Sequence, residues 1–114
     1  MQDLQDRGLL ESTLIVWMGE FGRTPKITQQ QGRDHFPNAW TTVLAGGGIN
    51  GGQAVGKTSA DGTTVEERPV NVGDFLATVV KALGIDPRKQ NTSNVNRPIR
   101  IADPSAEVIK EVLS

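Results

Sequence analysis

Thr13–Met18 is an unbroken apolar run, Thr-Leu-Ile-Val-Trp-Met, with none of the alternation that marks a half-exposed strand. Such a run suits a strand covered on both faces, as in a parallel sheet. Ala39–Ala45 repeats the pattern and is closed by Gly46-Gly47-Gly48, and Gln53–Val55 is long enough for a further short extended piece. Residues 19–38 between the two runs form a long polar loop, and a loop of that length inside a compact domain is either functional or disordered. Asp61-Gly62, between Thr58 and Val65, is a hairpin-turn signal.

The periodicity changes at Asn71. Val72, Phe75, Leu76, Val79, Val80 and Leu83 fall on one helical stripe, Asn71 is placed to cap it with Asp74 three residues on, and Gly84 ends it. Residues 2–8 look like the end of another helix, stopped at Gly8 by a left-handed cap, with Leu9 and Leu10 packing behind it. Pro87–Asn96 is polar connection and Ile99–Ile101 a short strand. Asp103-Pro104 is a cap followed by proline at a first helical position, which predicts a last helix running to about Leu113. There is no internal repeat, low-complexity tract or linker marking a second domain.

At 114 residues the chain is the size of one domain, and a body of that length buries roughly two-thirds of its unfolded surface. Hydrophobic residues make up 36% and aromatics 4%, with 13 glycines and 6 prolines, so core-forming material is scarce and a part of a larger fold is expected. Twelve Lys and Arg against thirteen Asp and Glu leave a net charge of −1 without a basic stripe, which gives nucleic acid no electrostatic footprint. The absence of cysteine removes disulfides, thiolate metal sites and a thiol nucleophile, and says nothing about compartment. Met1–Arg7 has no basic region followed by an apolar stretch, and no window is apolar enough to span a membrane.

Candidate chemistry sits where the first apolar run stops. Gly19-Glu20-Phe21-Gly22-Arg23-Thr24-Pro25 follows it directly, and the chain's single histidine stands in Gly32-Arg33-Asp34-His35-Phe36-Pro37. Open α/β sheets place their chemistry in the crevice at the ends of strands. Glu20, Asp34 and His35 are ligand types for a divalent metal (zinc, calcium or manganese), while Arg23 and Arg33 are cations suited to clamping an anion. Each has a plainer role open to it: Glu20 can pair with Arg23, His35 can be a hydrogen-bonded structural residue, and Asp34 can cap a turn. Trp17 and Trp40 are most simply core, and Lys57 most simply solvated.

Gly51-Gly52-Gln53-Ala54-Val55-Gly56-Lys57-Thr58 matches a phosphate-binding loop letter for letter. That motif works because its Lys and Thr open a helix whose free amides hold phosphate. Here Ser59-Ala60-Asp61-Gly62 follows, a turn sequence, so a glycine-rich turn between short strands is the better reading.

The motifs at 19–25 and 32–37, read with Ala45-Gly46-Gly47-Gly48-Ile49 and Val72-Gly73-Asp74-Phe75-Leu76-Ala77-Thr78, resemble the C-terminal part of the bacterial proteins grouped as domain of unknown function 1501, within the alkaline phosphatase and sulfatase superfamily. The resemblance implies an α/β fold, a partial three-layer α/β/α alkaline-phosphatase-like arrangement with a mostly parallel sheet and a short β-hairpin. Residues 1–114 are then a single C-terminal fragment whose partner is the missing N-terminal half, which carries the nucleophile. It implies a metal-dependent phosphate- or sulfate-ester hydrolase, inactive as this chain alone, acting on a small ester, with a parent commonly exported to the cell envelope. By position Glu20 matches a metal-binding aspartate and His35 a later histidine ligand. Phe21 stands where the superfamily has a second histidine, so one metal centre is altered or is filled from elsewhere, Asp34 being the nearest candidate. The alternative is a non-catalytic binding or scaffold module in which Phe21 records the loss of chemistry.

Overall fold

A computed structural model describes residues 1–114. The chain opens with helix α1 (Gln2–Asp6), which ends as expected at Gly8, where φ is +68°. The Gly8 amide donates to Gln5 O and the Leu9 amide to Leu4 O, the paired bonds that close a helix on a left-handed residue. A single 3-10 turn, Leu10–Ser12, leads into strand β1 (Leu14–Trp17). Strands β2 (Gly22–Arg23) and β3 (His35–Phe36) form a hairpin, and β4 (Val43–Gly46) returns beside β1. Strands β5 (Lys57–Thr58) and β6 (Val65–Glu67) pair around the Asp61-Gly62 turn. Helix α2 (Val72–Ala82) follows, then the hairpin of β7 (Gln90–Thr92) and β8 (Pro98–Arg100), and a terminal 3-10 turn at Lys110–Val112. No helix is long and apolar enough to cross a membrane.

The three-layer arrangement with a mostly parallel sheet is not what the chain forms. All four strand pairs are antiparallel and each is a separate two-stranded ribbon, β1 with β4, β2 with β3, β5 with β6, and β7 with β8. The reason lies between the two apolar runs. Parallel neighbours need a crossover, usually a helix, to carry the chain back to the starting end. Residues 18–42 contain a hairpin instead, which returns the chain at the end where β1 stopped, and Trp17 comes opposite Val43 and Leu14 opposite Gly46. Nor is β1 covered: Val16 and Met18 are exposed, and Trp17, expected in the core, is 76% exposed. Trp40 is half-buried, its indole nitrogen shielded and without an acceptor.

The last helix is also absent. Asp103 binds the Ser105 amide and hydroxyl at 2.8 and 2.6 Å, closing a local turn, but the amides beyond it go to another element. Glu107 N–H donates to the Asp74 carboxylate at 2.8 Å and Ile109 N–H to the Thr78 hydroxyl at 2.9 Å. Two side chains of α2 thus take the donors that a helix would have kept for itself. Thr78 is fully buried and its hydroxyl also donates to Asp74 O, so stranding the Ile109 amide would cost about 1–3 kcal/mol. Further along, Asn50 N–H donates to Val112 O, Ser114 N–H to Gly48 O, and the Gln53 amide side chain to Glu111 O. Residues 106–114 therefore strap α2 to the turn that follows β4.

That strap and α2 make up most of the core. Asn71 caps the helix, accepting from Asp74 N–H at 2.8 Å, and Gly84, at φ +79°, ends it. Phe75, Ala77, Thr78 and Ile109 are buried there, whereas Val72, Leu76 and Leu83 of the expected stripe stay exposed. A Cβ on Gly48 would lie 2.5 Å from Ala82 O, so only glycine lets the β4 turn pass this close to the end of α2. Six of 114 residues are buried and the radius of gyration is 17.0 Å, against about 13 Å for a compact chain of this length.

The strap carries one strong ion pair. The Arg68 guanidinium grips Glu111 through two bonds of 2.8 and 3.2 Å, and these hold the Glu111 carboxyl down at about 2 from an ordinary 4.5. A carboxyl whose folded value is depressed adds stability that is complete above pH 4.5 and is lost as pH falls toward 2. Glu111→Gln is expected to lower the denaturant midpoint at neutral pH and to flatten its decline through that acid window. The checking measurement is a urea titration repeated down the window, and an acid decline as steep in the variant as in the wild type would contradict the assignment.

Candidate functional site

The two motifs meet as partners in one hairpin. Gly22 lies opposite Phe36 and Arg23 opposite His35, so each motif supplies one short strand and residues 24–34 make the loop between them. Gly22 is buried, and a Cβ there would lie 2.9 Å from both Phe36 O and the Trp40 Cβ, with Ala39 O nearer still. Close approach, rather than a left-handed turn, is the reason for this glycine.

The loop satisfies its own polar groups. Thr24 N–H donates to Asp34 O at 3.0 Å, Asp34 N–H to the Thr24 hydroxyl at 3.1 Å, and that hydroxyl to Lys26 O at 2.9 Å. Thr28 closes the tip, its amide donating to Gly32 O at 2.8 Å and its hydroxyl accepting from Gly32 N–H. The Arg33 guanidinium turns back onto the same segment and donates to Thr24 O at 2.8 Å and to Pro25 O. Arg33, expected as an anion clamp, is thus already engaged with main-chain carbonyls.

Cross-strand partners share a face, and alternate residues of one strand do too, so Phe21, Arg23 and His35 lie on the same side of the hairpin. The Phe21 and His35 rings are 4.1 Å apart between centroids and tilted by 36°. Arg23 sits 5.6 Å above the Phe21 ring and donates to Arg33 O at 3.3 Å. Phe21, which stands where a metal-binding histidine was sought, instead forms the platform that orders the imidazole and the guanidinium.

The metal-ligand set does not assemble. No three His, Asp or Glu side chains come together in a group able to hold a metal ion, so Glu20, Asp34 and His35 do not fit such an ion within this chain. Glu20 is exposed, accepts no hydrogen bond and forms no ion pair, which leaves the alternative Glu20 to Arg23 pairing unformed as well. Neither imidazole nitrogen of His35 has a partner in the chain, and the Asp34 carboxylate is exposed. Beside them a shallow hollow of about 330 Å³ is lined by Thr24, Lys26, Ile27, Thr28, Gln29 and Asp34. Lys26 was not singled out from the sequence. It brings the segment 19–37 to three permanent cations against two carboxylates, a balance that favours anions.

A family model described as Protein of unknown function (DUF1501) matches residues 1–113. The chain belongs to the DUF1501 family. No match was found among curated proteins or among solved structures. The DUF1501 description names no activity, so chemistry has to be argued from the hairpin itself.

The phosphate-loop string lies elsewhere and lacks the architecture the motif needs. Lys57 and Thr58 are strand residues of β5, no helix opens at them, and Lys57 pairs with Glu67 at 3.5 Å on the exposed surface. The decisive local constraint on the candidate site is the close passage at Gly22. Gly22→Ala is expected to push the two strands apart at a cost of about 1–3 kcal/mol and to abolish the ring-current shift that Phe21 imposes on the His35 ring protons. Proton NMR of the imidazole checks this, and an unchanged shift in the variant would show that the hairpin tolerates the extra carbon.

Proposed function

We propose that this chain is a recognition module for the anionic group of a phosphate or sulfate ester, without turnover of its own. The observation that supports the reading is the shared hairpin face, on which Phe21 contacts both Arg23 and His35 and neither imidazole nitrogen has a partner in the chain. A guanidinium offers several N–H donors in one plane, which suits the oxygens of phosphate and sulfate, and an imidazole adds one donor or, when protonated, a second charge. Lys26 in the adjoining hollow adds attraction at longer range.

A second reading is favoured by the pairing of Gly19–Pro25 with Gly32–Pro37 in a DUF1501 chain. In it the same face serves a metal-dependent phosphate- or sulfate-ester hydrolase of the alkaline phosphatase and sulfatase kind. The remaining metal ligands and the nucleophile then come from another stretch of polypeptide, since three ligands do not converge here. Both readings give Arg23 the same work.

Titration with phenyl phosphate and phenyl sulfate, followed by the His35 ring resonances, tests the proposal. The expected result is saturable binding that weakens at least tenfold in Arg23→Ala and survives in Glu20→Ala. Equal affinity in wild type and Arg23→Ala, or no saturable binding, would overturn it. A tightening of ester binding by zinc, manganese or calcium that is lost in His35→Ala would move the conclusion to the second reading.

A further inference from the structure

The glycine-rich string that fails as a phosphate loop begins beside Asn50, and Asn50-Gly51 is the only Asn-Gly pair in the chain. An asparagine side chain cyclises onto the amide nitrogen of the residue that follows it, and a glycine there has no side chain to shield that nitrogen. Asn50, Gly51 and Gly52 are exposed and lie outside every helix and strand. The Gly51 amide donates no hydrogen bond, and the Asn50 side chain has no partner, its residue being held only through main-chain atoms. A Cβ added at Gly51 or Gly52 would meet nothing within 4 Å, so the backbone around that nitrogen has room to turn.

Asp61-Gly62 is the other pair open to this cyclisation, and there the fold holds both reacting groups. The Asp61 carboxylate accepts from the Ser59 and Thr63 hydroxyls at 2.7 Å each and from Thr63 N–H at 3.1 Å. The Gly62 amide donates to Ser59 O at 2.9 Å, so attack by its nitrogen requires several bonds to break first. Nothing comparable restrains Asn50 and Gly51.

We infer that Asn50-Gly51 is a site of spontaneous modification by water, which turns Asn50 into aspartate and isoaspartate and loosens the C-terminal strap. The Gly51 nitrogen bonds to Asn50 Cγ, the bond from Cγ to Nδ2 breaks, and the amide proton leaves with Nδ2 as ammonia, closing a succinimide. Water then opens the ring, its hydroxyl going to one of the two carbonyl carbons and its proton to the Gly51 nitrogen. Opening at Cγ gives aspartate, and opening at the main-chain carbonyl gives isoaspartate, in which the chain runs through an added methylene. Either product carries a new negative charge. The strap responds to isoaspartate because the Gln53 side-chain amide bridges Asn50 O and Glu111 O, while Asn50 N–H donates to Val112 O at 2.8 Å. Asn50 O becomes part of a free carboxylate, Gly51–Gln53 is set off from it by the methylene, and the spacing that lets Gln53 span both carbonyls is lost.

Peptide mapping by mass spectrometry of the full chain, aged in mildly alkaline buffer, tests this. Conversion at Asn50 is expected to run at least tenfold faster than at Asn38, Asn71, Asn91, Asn94 or Asn96, with isoaspartate the larger product and none formed at Asp61. Gly51 lacks a positive φ and has open space around it, so Gly51→Ala is expected to slow the conversion at least tenfold while the circular dichroism is unchanged. The isoaspartate form is expected to lose hydrogen-exchange protection at the residue-50 and Ser114 amides, whereas Asn50→Asp, which has the charge without the methylene, keeps it. Conversion at Asn50 no faster than at the other asparagines, an equal rate in Gly51→Ala, or conversion only in urea would overturn the site. Unchanged protection in the isoaspartate form would overturn its effect on the strap.

Discussion

Two side chains of α2, the Asp74 carboxylate and the Thr78 hydroxyl, accept the amides of Glu107 and Ile109, and the rest of the chain is organised by that grip. Without it residues 106–109 would lose their anchorage to α2, leaving the strap tied only at 111–114. With it residues 106–114 lie across α2 and the turn after β4, and Arg68 reaches them from beyond β6. A polar bond at the centre of so small a core carries unusual weight. Burial alone supplies little here, since only Ala39, Phe75, Ala77 and Ile109 are buried hydrophobic residues. An unpaired amide in that place would cost as much as the removal of one of their side chains contributes.

The ribbons outside this grip are held by local means. The β5–β6 turn is fastened by Asp61, which takes the Ser59 and Thr63 hydroxyls at 2.7 Å each and is drawn down to about 2 by them. The β2–β3 hairpin is fastened by Thr24, Thr28 and Arg33 bonding within its own loop. Elements with few buried apolar contacts open at lower free energy than the core. The proposed recognition face therefore belongs to a part of the molecule that adjusts without disturbing α2, and Phe21 is what keeps the guanidinium and the imidazole in register. The apolar ribbon is the reverse case, ordered in its backbone but short of cover.

Where local chemistry decides the outcome, the sequence was legible. Gly8 and Gly84 end their helices in left-handed caps, Asn71 caps α2, and Asp61-Gly62 turns a hairpin, because each depends on residues within a few positions of itself. Where a distant partner decides, it was not. Pro104 at a first helical position pointed to a helix through Leu113, but the donors of that helix were taken by Asp74 and Thr78, some thirty residues earlier. Thr13–Met18 pointed to a strand buried in a parallel sheet, and the run did become a strand, yet its direction was set by the hairpin that follows it. Both motifs converge in one hairpin, but Glu20, Asp34 and His35 do not gather into one group there. The contacts inside the hairpin were not legible, because register places Phe21 against His35 and the Arg33 guanidinium turns onto the backbone. Residue types alone carry no information about which side of a ribbon they occupy.

The grip of α2 on the C-terminal strap is tested most directly by native-state amide hydrogen exchange in wild type and Thr78→Val. The account requires the Ile109 amide to be among the slowest in the wild type. In the variant, which keeps the shape of the side chain but loses its hydroxyl, protection of Ile109 and of the α2 amides should fall together. An Ile109 amide exchanging at the rate of an unstructured peptide in the wild type, or α2 protection unaltered when the hydroxyl is gone, would contradict it.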